Sequence, residues 1–167
     1  MWRAFALLTL AAALSACAPV VVRGNVGVSA SIGVSLTPTF VRLEPDRGRG
    51  AVYRPGEDVR FVVSVNRPGY VALVGIDPDG RAYEFDRFYL EGGTYLLPLP
   101  GSQYTYRVTT PFGTQRVRAI YTDTRYPGDV RFTGVFVGDD WNRRTTLYFQ
   151  SSGARVRDVA ETFFVIR

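Results

Sequence analysis

The sequence lacks several residue types that carry most enzyme chemistry. It has no histidine and no lysine, and only one cysteine and one methionine among 167 residues. Histidine is the usual general base near neutral pH and the commonest metal ligand, so its absence removes most acid–base chemistry and most zinc sites. A single cysteine cannot form a disulfide within the chain, so burial of a core has to stabilise the fold. We therefore predict a protein with no catalytic residue, no bound metal and no cofactor.

Aromatic residues, glycine and proline are abundant instead. The chain has 11 Phe, 10 Tyr, 17 Gly and 10 Pro. Aromatic and β-branched residues favour strands, and glycine and proline mark the turns between strands. Short apolar segments separated by turn signals recur through residues 39–167. This spacing predicts an all-β domain, a sandwich or a barrel, over those residues.

The amino-terminal segment has the features of a bacterial lipoprotein signal. One arginine precedes an apolar run over residues 4–14, which is shorter than the ~20 residues that a membrane-spanning helix needs. The sequence Leu-Ser-Ala-Cys at residues 14–17 resembles the lipobox, in which the cysteine receives a diacylglycerol and a fatty acid such as palmitate. We expect residues 1–16 to be removed and Cys17 to anchor the protein to a membrane through its lipid. The alternative is an ordinary signal peptide with a chance cysteine.

The segment after the lipobox is predicted to be a tether. Over residues 17–38 it becomes an edge strand, because apolar and small polar residues alternate up to Pro38. Ala18 follows the cysteine, where an aspartate would resemble a retention signal for the inner membrane. The segment therefore favours a lipid-anchored protein of the cell envelope, at the outer membrane or the cell surface.

The rest of the chain divides into short elements. The nearly continuous apolar run over residues 70–76 predicts a central strand buried on both faces, followed by a hairpin turn at residues 77–80. Further along, we predict a strand over residues 130–137, a loop over 138–144, a strand over 145–150, a short helix over 155–160 and a final strand over 161–166.

Six stretches carry a resemblance to a known family: residues 53–61, 67–73, 76–80, 97–100, 111–113 and 117–120. Together they resemble the DUF4384 family, a domain of unknown function, over about residues 53–121. Members of this family look like immunoglobulin-like β modules on secreted or anchored bacterial proteins. The resemblance implies an immunoglobulin-like antiparallel β-sandwich of about seven to nine strands, and it assigns no catalytic residue.

The segment around Trp141 is the first candidate for a ligand or partner contact. Asp139, Asp140 and Arg143 flank this tryptophan in a predicted loop, and an exposed ring beside charged groups suits a sugar or protein contact. Adjacent aspartates point apart, so they do not form the opposed carboxylate pair of a glycosidase. The alternative is that Trp141 is partly buried and anchors the loop. If Trp141 is exposed, Trp141→Ala should weaken binding to envelope polymers without lowering the melting temperature.

Basic residues are the second candidate, since the net charge is +5. Arg60, Arg116, Arg118 and Arg131 occupy alternating positions that we expect to face outward on predicted strands. Neighbouring strands would align them into a basic stripe that contacts phosphate groups of anionic envelope polymers. The alternative is an ordinary solvated surface. Nucleic acid is a poor partner for an exported lipoprotein.

Three functions of different classes follow from these features. The first is a lipid-anchored, non-catalytic envelope module that contacts proteins or glycans at the membrane surface. The second is a structural component of a surface layer or envelope assembly, and a hydrolase that uses only carboxylates is a third alternative. An exposed aromatic patch would favour binding, a free strand edge would favour assembly, and a pocket with two converging carboxylates would favour hydrolysis.

Overall fold

The computed structural model describes residues 32–125 and 130–167. Cys17 and residues 18–31 lie outside the described residues, so the lipidation of Cys17 and the first part of the tether stay predictions. The elements follow in this order: β1 (Phe40–Pro45), β2 (Val52–Tyr53), β3 (Asp58–Val59), β4 (Phe61–Val65), β5 (Gly69–Ile76), β6 (Arg81–Leu90), β7 (Gly93–Leu97), β8 (Tyr106–Arg107), β9 (Gly113–Thr122), β10 (Gly134–Val135), α1 (Asp140–Ser152) and β11 (Arg157–Ile166).

Two sheets pack face to face. The smaller sheet has the strand order β1-β4-β7, and the larger has the order β10-β6-β5-β9-β11-β2. A separate two-stranded ribbon is formed by β3 and β8. The pairing of β11 with β2 is parallel, and the other pairs among the described residues are antiparallel. Seven strands of the described residues are five or more residues long, which confirms the predicted all-β sandwich.

The main core lies between the two sheets. Phe61, Val63 and Leu97 enter it from the smaller sheet, and Leu73 and Tyr121 from the larger sheet; all five are buried. Burial of a side chain of this size contributes about 1.5–3 kcal/mol, so this core supplies much of the stability that no disulfide provides.

Strand β5 is buried on both faces. Val71 and Leu73 point into the main core, whereas Ala72, Val74 and Ile76 point into a second core on the other face of the larger sheet. The prediction of a central, two-sided strand is therefore confirmed, and its position between β6 and β9 explains the continuous apolar run.

The predicted hairpin between β5 and β6 is also confirmed. The amide of Asp77 donates to the carbonyl of Arg81 at 2.8 Å, and the amide of Gly80 donates to the carbonyl of Asp77 at 2.9 Å. These bonds close the turn that the Asp-Pro-Asp-Gly sequence predicts.

Helix α1 covers the second core, and here the sequence prediction is wrong. One helix replaces the predicted strand over 145–150 and the predicted loop over 138–144 from Asp140 onward. Its buried residues are Trp141, Thr145, Tyr148 and Phe149, a spacing that places them on one helical face. The strand-favouring Thr, Tyr and Phe misled the prediction, because burial of a continuous helical face overrides local propensity. Gly153, in the left-handed conformation, ends the helix.

Two other predictions near the carboxyl terminus are corrected. The short helix predicted over residues 155–160 is instead the start of β11, which pairs with β9 across ten residues. The strand predicted over residues 130–137 is reduced to the two residues of β10. Pairing along a long neighbouring strand fixes β11, whereas β10 pairs only with the first two residues of β6.

The described part of the predicted edge strand, residues 32–38, forms no strand. It packs through Ile32, which is 2% exposed, into the second core. The chain then enters the sandwich where the amides of Thr39 and Phe40 donate to Asp158 Oδ2 at 2.6 and 2.8 Å. The buried carboxylate of Asp158 therefore fixes the point at which this segment joins β1. Within residues 32–125 and 130–167, no helix combines the length and the apolar composition needed to cross a bilayer.

Candidate ligand-binding cleft

Trp141 lies on α1 and faces the larger sheet. Only 3% of its surface is exposed, and its indole N–H donates to Glu161 Oε1 at 2.7 Å. The interpretation of Trp141 as an exposed contact residue in a loop is therefore wrong. The residue is an anchor, as the alternative held, but it anchors a helix.

The charged residues near Trp141 make local contacts at the surface. Asp140 forms an ion pair with Arg143 one turn further along the helix. Asp139 Oδ1 accepts a hydrogen bond from Asn142 Nδ2 at 2.7 Å. Hydrogen bonds from Arg143 and the amide of Val137 lower the pKa of Asp140. These groups do not surround the indole ring, so the predicted combination of a stacking ring and carboxylates is not formed.

The predicted basic stripe is not formed either. Arg118 is 1% exposed, so its predicted outward orientation is wrong. Arg116 is exposed two residues earlier on β9, whereas Arg60 lies at the junction of β3 and β4, and Arg131 lies in the segment before β10. The alternation along β9 was read correctly, but α1 covers the face that was expected to meet solvent.

The buried Arg118 uses all of its hydrogen-bonding capacity. Its Nε donates to Glu161 Oε1 at 2.7 Å, and its Nη1 donates to the Trp141 carbonyl at 3.1 Å and to Thr145 Oγ1 at 2.7 Å. Its Nη2 donates to Asn142 Oδ1 at 2.8 Å and also to Glu161. A guanidinium has five N–H donors, so none is left for a ligand. We call this set the helix clamp: Arg118, Glu161, Trp141, Asn142 and Thr145.

The electrostatics of the helix clamp are those of a paired buried charge. Burial lowers the pKa of Arg118 to about 10, and the charge of Glu161 opposes that effect. Burial raises the pKa of Glu161, but the charge of Arg118 and the hydrogen bond from Trp141 outweigh it and hold that pKa below its usual value. Both groups are charged at neutral pH, and the cluster fastens α1 to the sheet.

A different site opens on the opposite face of the larger sheet. It is a cleft of about 200 Å³ at the end of the sandwich where β9 begins and β11 ends. The β3–β8 ribbon and its flanking residues 104–109 form one wall. The starts of β6 and β9, with the end of β11, form the other. The cleft therefore lies between the ribbon and the end of the larger sheet.

Aromatic rings line the cleft as a connected series. The ring centroids of Tyr83 and Phe85 are 5.7 Å apart, those of Phe85 and Tyr106 are 5.1 Å apart, and those of Tyr104 and Tyr106 are 6.1 Å apart. Phe61 continues the series at 5.9 Å from Phe85. Tyr83 and Tyr104 are 37% and 49% exposed, so these two rings stand at the mouth and the others form the interior.

Gln115 is the polar group inside this aromatic lining. It lies on β9 and is 2% exposed, and its Nε2 has no hydrogen-bond partner. A Cβ at position 75 would lie 3.1 Å from Gln115 Nε2 and 3.1 Å from Tyr83 Cζ, so Gly75 makes room for both groups. An unsatisfied buried donor costs about 1–3 kcal/mol. A group that lines a cleft at this cost is a candidate for contact with a ligand.

Asp77 lies beside the cleft mouth and contributes to its electrostatics. Burial raises the pKa of Asp77, and the neighbouring Gln115 amide and Tyr83 hydroxyl partly counteract this. The Gln115 side-chain amide lies close enough to Asp77 to lower the pKa of its carboxyl, but the two groups do not have the geometry of a hydrogen bond. Burial and the nearby Asp77 charge raise the pKa of Tyr83, which therefore stays a neutral phenol.

The remaining carboxylates near the cleft hold its walls. Asp86 accepts hydrogen bonds from Tyr106 and, at 2.7 Å, from Tyr104. Asp58 accepts from Arg107 Nε at 3.2 Å and from a threonine hydroxyl in the same wall. Both carboxylates are engaged by neighbouring side chains, and each fixes residues of the 104–109 wall. Within the described parts of the chain, no group of three or more acidic, cysteine or histidine residues is arranged to hold a metal ion.

Comparison with known families gives one result. Residues 52–125 match the model of a family described as a domain of unknown function, DUF4384. We refer to residues 52–125 as the DUF4384 domain, after the family whose model they match. The resemblance predicted over residues 53–121 is thereby confirmed. Neither a curated protein nor a solved structure matches the chain.

The DUF4384 domain supplies most of the cleft. It contains β2 to β9 and the segments between them, and these residues include Gln115 and every cleft tyrosine. Phe164 and Ile166 of β11 complete the lining from outside the domain. The cleft is thus mainly a feature of the family domain, and β11 completes one of its walls.

Sequence reasoning did not select Gln115, although a signal was present. Gln115 falls on the same side of β9 as Val117, Ala119 and Tyr121, which all point into the main core. A polar residue at a core-facing position of an alternating strand either has a buried partner or faces a cavity. The sequence of residues 104–109 contains no comparable signal that these residues line a cleft. Their position depends on the β3–β8 ribbon, in which Asp58 pairs with Arg107, 49 residues further along the chain.

Proposed function

We propose that the protein is a lipid-anchored, non-catalytic module of a bacterial cell envelope that binds a partner in the aromatic cleft. The observation that carries this proposal is the buried Gln115 amide, which lacks a partner inside a cleft lined by tyrosine and phenylalanine. Clefts with apolar walls and few convergent polar groups are typical ligand sites. The partner is an envelope protein or a glycan.

The anchoring part of the proposal is supported by the amino-terminal sequence. An apolar run ends in the lipobox-like residues 14–17, and Cys17 is the only cysteine of the chain. Two or more acyl chains hold a protein stably on a bilayer. Residues 18–31 would then separate the lipid from the described fold, and Ala18 favours the outer membrane or the cell surface.

Binding is favoured over hydrolysis by how the nearby carboxylates are used. Hydrolysis by carboxylates alone needs two of them converging on one bond. Asp58 and Asp86 are instead bonded to residues of the cleft wall, and Asp77 neighbours Gln115 and Tyr83 at the mouth. The bonds of Asp58 and Asp86 to the wall residues hold the aromatic rings in place, and this use of the carboxylates favours binding.

The anchor is tested by metabolic labelling. Cells that express the full chain, and a Cys17→Ser control, are grown with an alkyne-bearing palmitate analogue and fractionated. We expect label on the wild-type protein only, and we expect that protein in the membrane fraction. Unlabelled wild-type protein in the cytosol would overturn the envelope assignment.

The binding role is tested by photocrosslinking in the same cells. A benzoylphenylalanine replaces Tyr83 at the cleft mouth, and the control replaces Leu147, which is 49% exposed on α1. We expect reproducible adducts from position 83 and none of the same size from position 147. Adducts from both positions alike, or from neither, would argue against a binding cleft and would favour a purely structural envelope component.

A further inference from the structure

We propose that the cleft takes one uncharged sugar ring and that Gln115 donates a hydrogen bond to an oxygen of that ring. This inference rests on the proposed binding function and names its ligand class. It places the glycan contact on the DUF4384 domain, on the face of the larger sheet opposite Trp141. Gln115 acts here as a binding residue, because its amide touches the ligand.

The size of the cleft limits the occupant to a small group. Its volume is about 200 Å³. Sites that bind drug-sized ligands are larger, with volumes of about 300–1,000 Å³. One six-membered ring with its substituents suits such a space. An extended peptide would need a longer groove beside a free strand edge, and the β3–β8 ribbon occupies that side of the cleft.

The unpaired group inside the cleft calls for an acceptor. Gln115 Nε2 is a donor without a partner, so a bound hydroxyl, ring oxygen or carbonyl oxygen would remove the cost of its burial. A ligand that presents only donors, such as an ammonium group, would leave this amide unsatisfied. The amide therefore selects oxygen-rich ligands.

The charges around the cleft disfavour an anion. Asp77 is near Gln115 and Tyr83, and like charges near one another at low solvent exposure repel. The one cationic side chain in the lining, Arg107, already pairs with Asp58 at 3.2 Å. The carboxylates of Asp58, Asp77 and Asp86 thus lie at the cleft against this one cation, so an uncharged ligand fits best.

The rings provide the apolar part of the contact. The face of an aromatic ring carries a partial negative charge that attracts polarised C–H groups, and one face of a pyranose consists of such groups. Tyr83 and Tyr104 are partly exposed at the mouth, and hydrogen bonding to Asp86 orients Tyr104. An uncharged pyranose combines this apolar face with the oxygen that Gln115 requires.

The test is a titration of the purified full chain in detergent. The probes are the methyl glycosides of glucose, galactose, mannose and N-acetylglucosamine, with glucose 6-phosphate, choline and a tetra-alanine peptide as comparators. Calorimetry and tyrosine fluorescence report binding. We expect at least one neutral glycoside to bind and to change tyrosine fluorescence, and we expect the comparators to bind at least tenfold more weakly.

Variants separate a binding role of Gln115 from a structural one. Gln115→Leu should weaken glycoside binding at least tenfold while the melting temperature stays equal or rises, because an unsatisfied buried donor has been removed. Tyr83→Ala should weaken binding as well, and Gln150→Leu, at an exposed position of α1, should bind like the wild type. A Gln115→Leu protein with unchanged affinity would overturn the assignment.

The remaining outcomes also decide the question. Binding of choline or of the peptide in preference to every glycoside would overturn the sugar assignment, and so would failure of all four glycosides to bind. If crosslinks at position 83 are nevertheless obtained in cells, the proposed binding function stands and only the ligand class is wrong. If neither glycosides nor crosslinks are found, both proposals fail.

Discussion

The guanidinium carbon of Arg118 lies 4.4 Å from the centre of the Trp141 indole ring. Both side chains also donate to the same carboxylate oxygen of Glu161, each at 2.7 Å. A cation over an aromatic face and a shared buried anion thus join the larger sheet to α1. All five N–H donors of the Arg118 guanidinium are used within the fold, so the helix clamp contributes to stability and leaves none for a ligand. Its contribution to the free energy of unfolding can be measured by substitution.

Replacement of Arg118 should be strongly destabilising. Arg118→Leu leaves Glu161 with its main counter-charge removed inside the fold, and breaking a buried pair from one side costs about 3–5 kcal/mol. Arg116→Leu is the matched control, because Arg116 contacts Glu161 Oε2 at 3.5 Å from an exposed position. The control should change the free energy of unfolding by no more than about 1 kcal/mol. Urea denaturation followed by circular dichroism measures both, and equal effects would contradict a buried clamp.

The contribution of Glu161 should depend on pH. Its pKa in the folded protein is held below the usual value of 4.5, so its stabilising effect is present above that value and is lost as pH falls through the lowered folded pKa. Glu161→Gln should therefore be less stable than the wild type at pH 7. The difference should shrink on acidification below about pH 4.5, as the wild-type carboxyl takes up a proton. Denaturation curves at a series of pH values report the difference, and a constant gap down to pH 3 would contradict the assignment.

Removal of the Trp141 side chain should reduce stability, in contrast to what an exposed contact residue would show. Trp141→Ala opens a cavity under α1 and should cost about 3–5 kcal/mol. Leu147→Ala on the same helix changes a half-exposed side chain and should stay within about 0.5 kcal/mol. Thermal denaturation distinguishes the two. A melting temperature of Trp141→Ala equal to that of the wild type would restore the surface-contact interpretation.

Gly69 should be intolerant of any side chain. A Cβ at this position would lie 2.5 Å from the ring of Tyr121, which is fully buried and donates to the Pro68 carbonyl at 2.5 Å. Gly69→Ala should therefore cost about 1–3 kcal/mol through overpacking. Gly92→Ala is the control, because its nearest atoms would lie at an ordinary 3.6 Å, and it should change stability by less than about 0.5 kcal/mol. Similar losses for the two variants would show that the contact with Tyr121 relaxes easily.

The parts of the fold that sequence could predict are those set by local pattern. The apolar run at residues 70–76 predicts a strand because a strand buried on both faces is apolar at nearly every position. The turn after it is predictable because a hairpin needs specific turn residues. The family resemblance over residues 53–121 rests on the same strands and turns, and it was confirmed for that reason.

The predictions that were wrong concern residues whose structure depends on which distant element packs against them. Residues 145–150 have strand-favouring side chains, yet the packing of Trp141, Tyr148 and Phe149 on the sheet makes a helix. Arg118 occupies a position that would face solvent in a two-layer sandwich, and it is buried because α1 adds a third layer. Single-sequence periodicity identifies a face, but it does not identify what lies against that face.

The sequence did not predict the candidate site for a related reason. Gln115 could have been selected from its core-facing position, but the aromatic wall opposite it is brought there by the pairing of β3 with β8. Such long-range pairing leaves no periodic trace in two-residue strands. Cys17, in contrast, was selected from a contiguous motif, and its role stays a prediction.

The ten-residue pairing of β11 with β9 has a practical consequence for anyone who isolates the family domain. A protein cut at the family boundary, residue 125, keeps β9 paired with β5 and loses β11, its neighbour on the other side. Its amide and carbonyl groups would then form a long bare edge, which is the kind of surface that recruits other chains into aggregates. A truncated protein has to extend beyond Ile166 to keep the whole of β11. We expect a protein that ends at residue 125 to precipitate, even though it contains every tyrosine of the cleft.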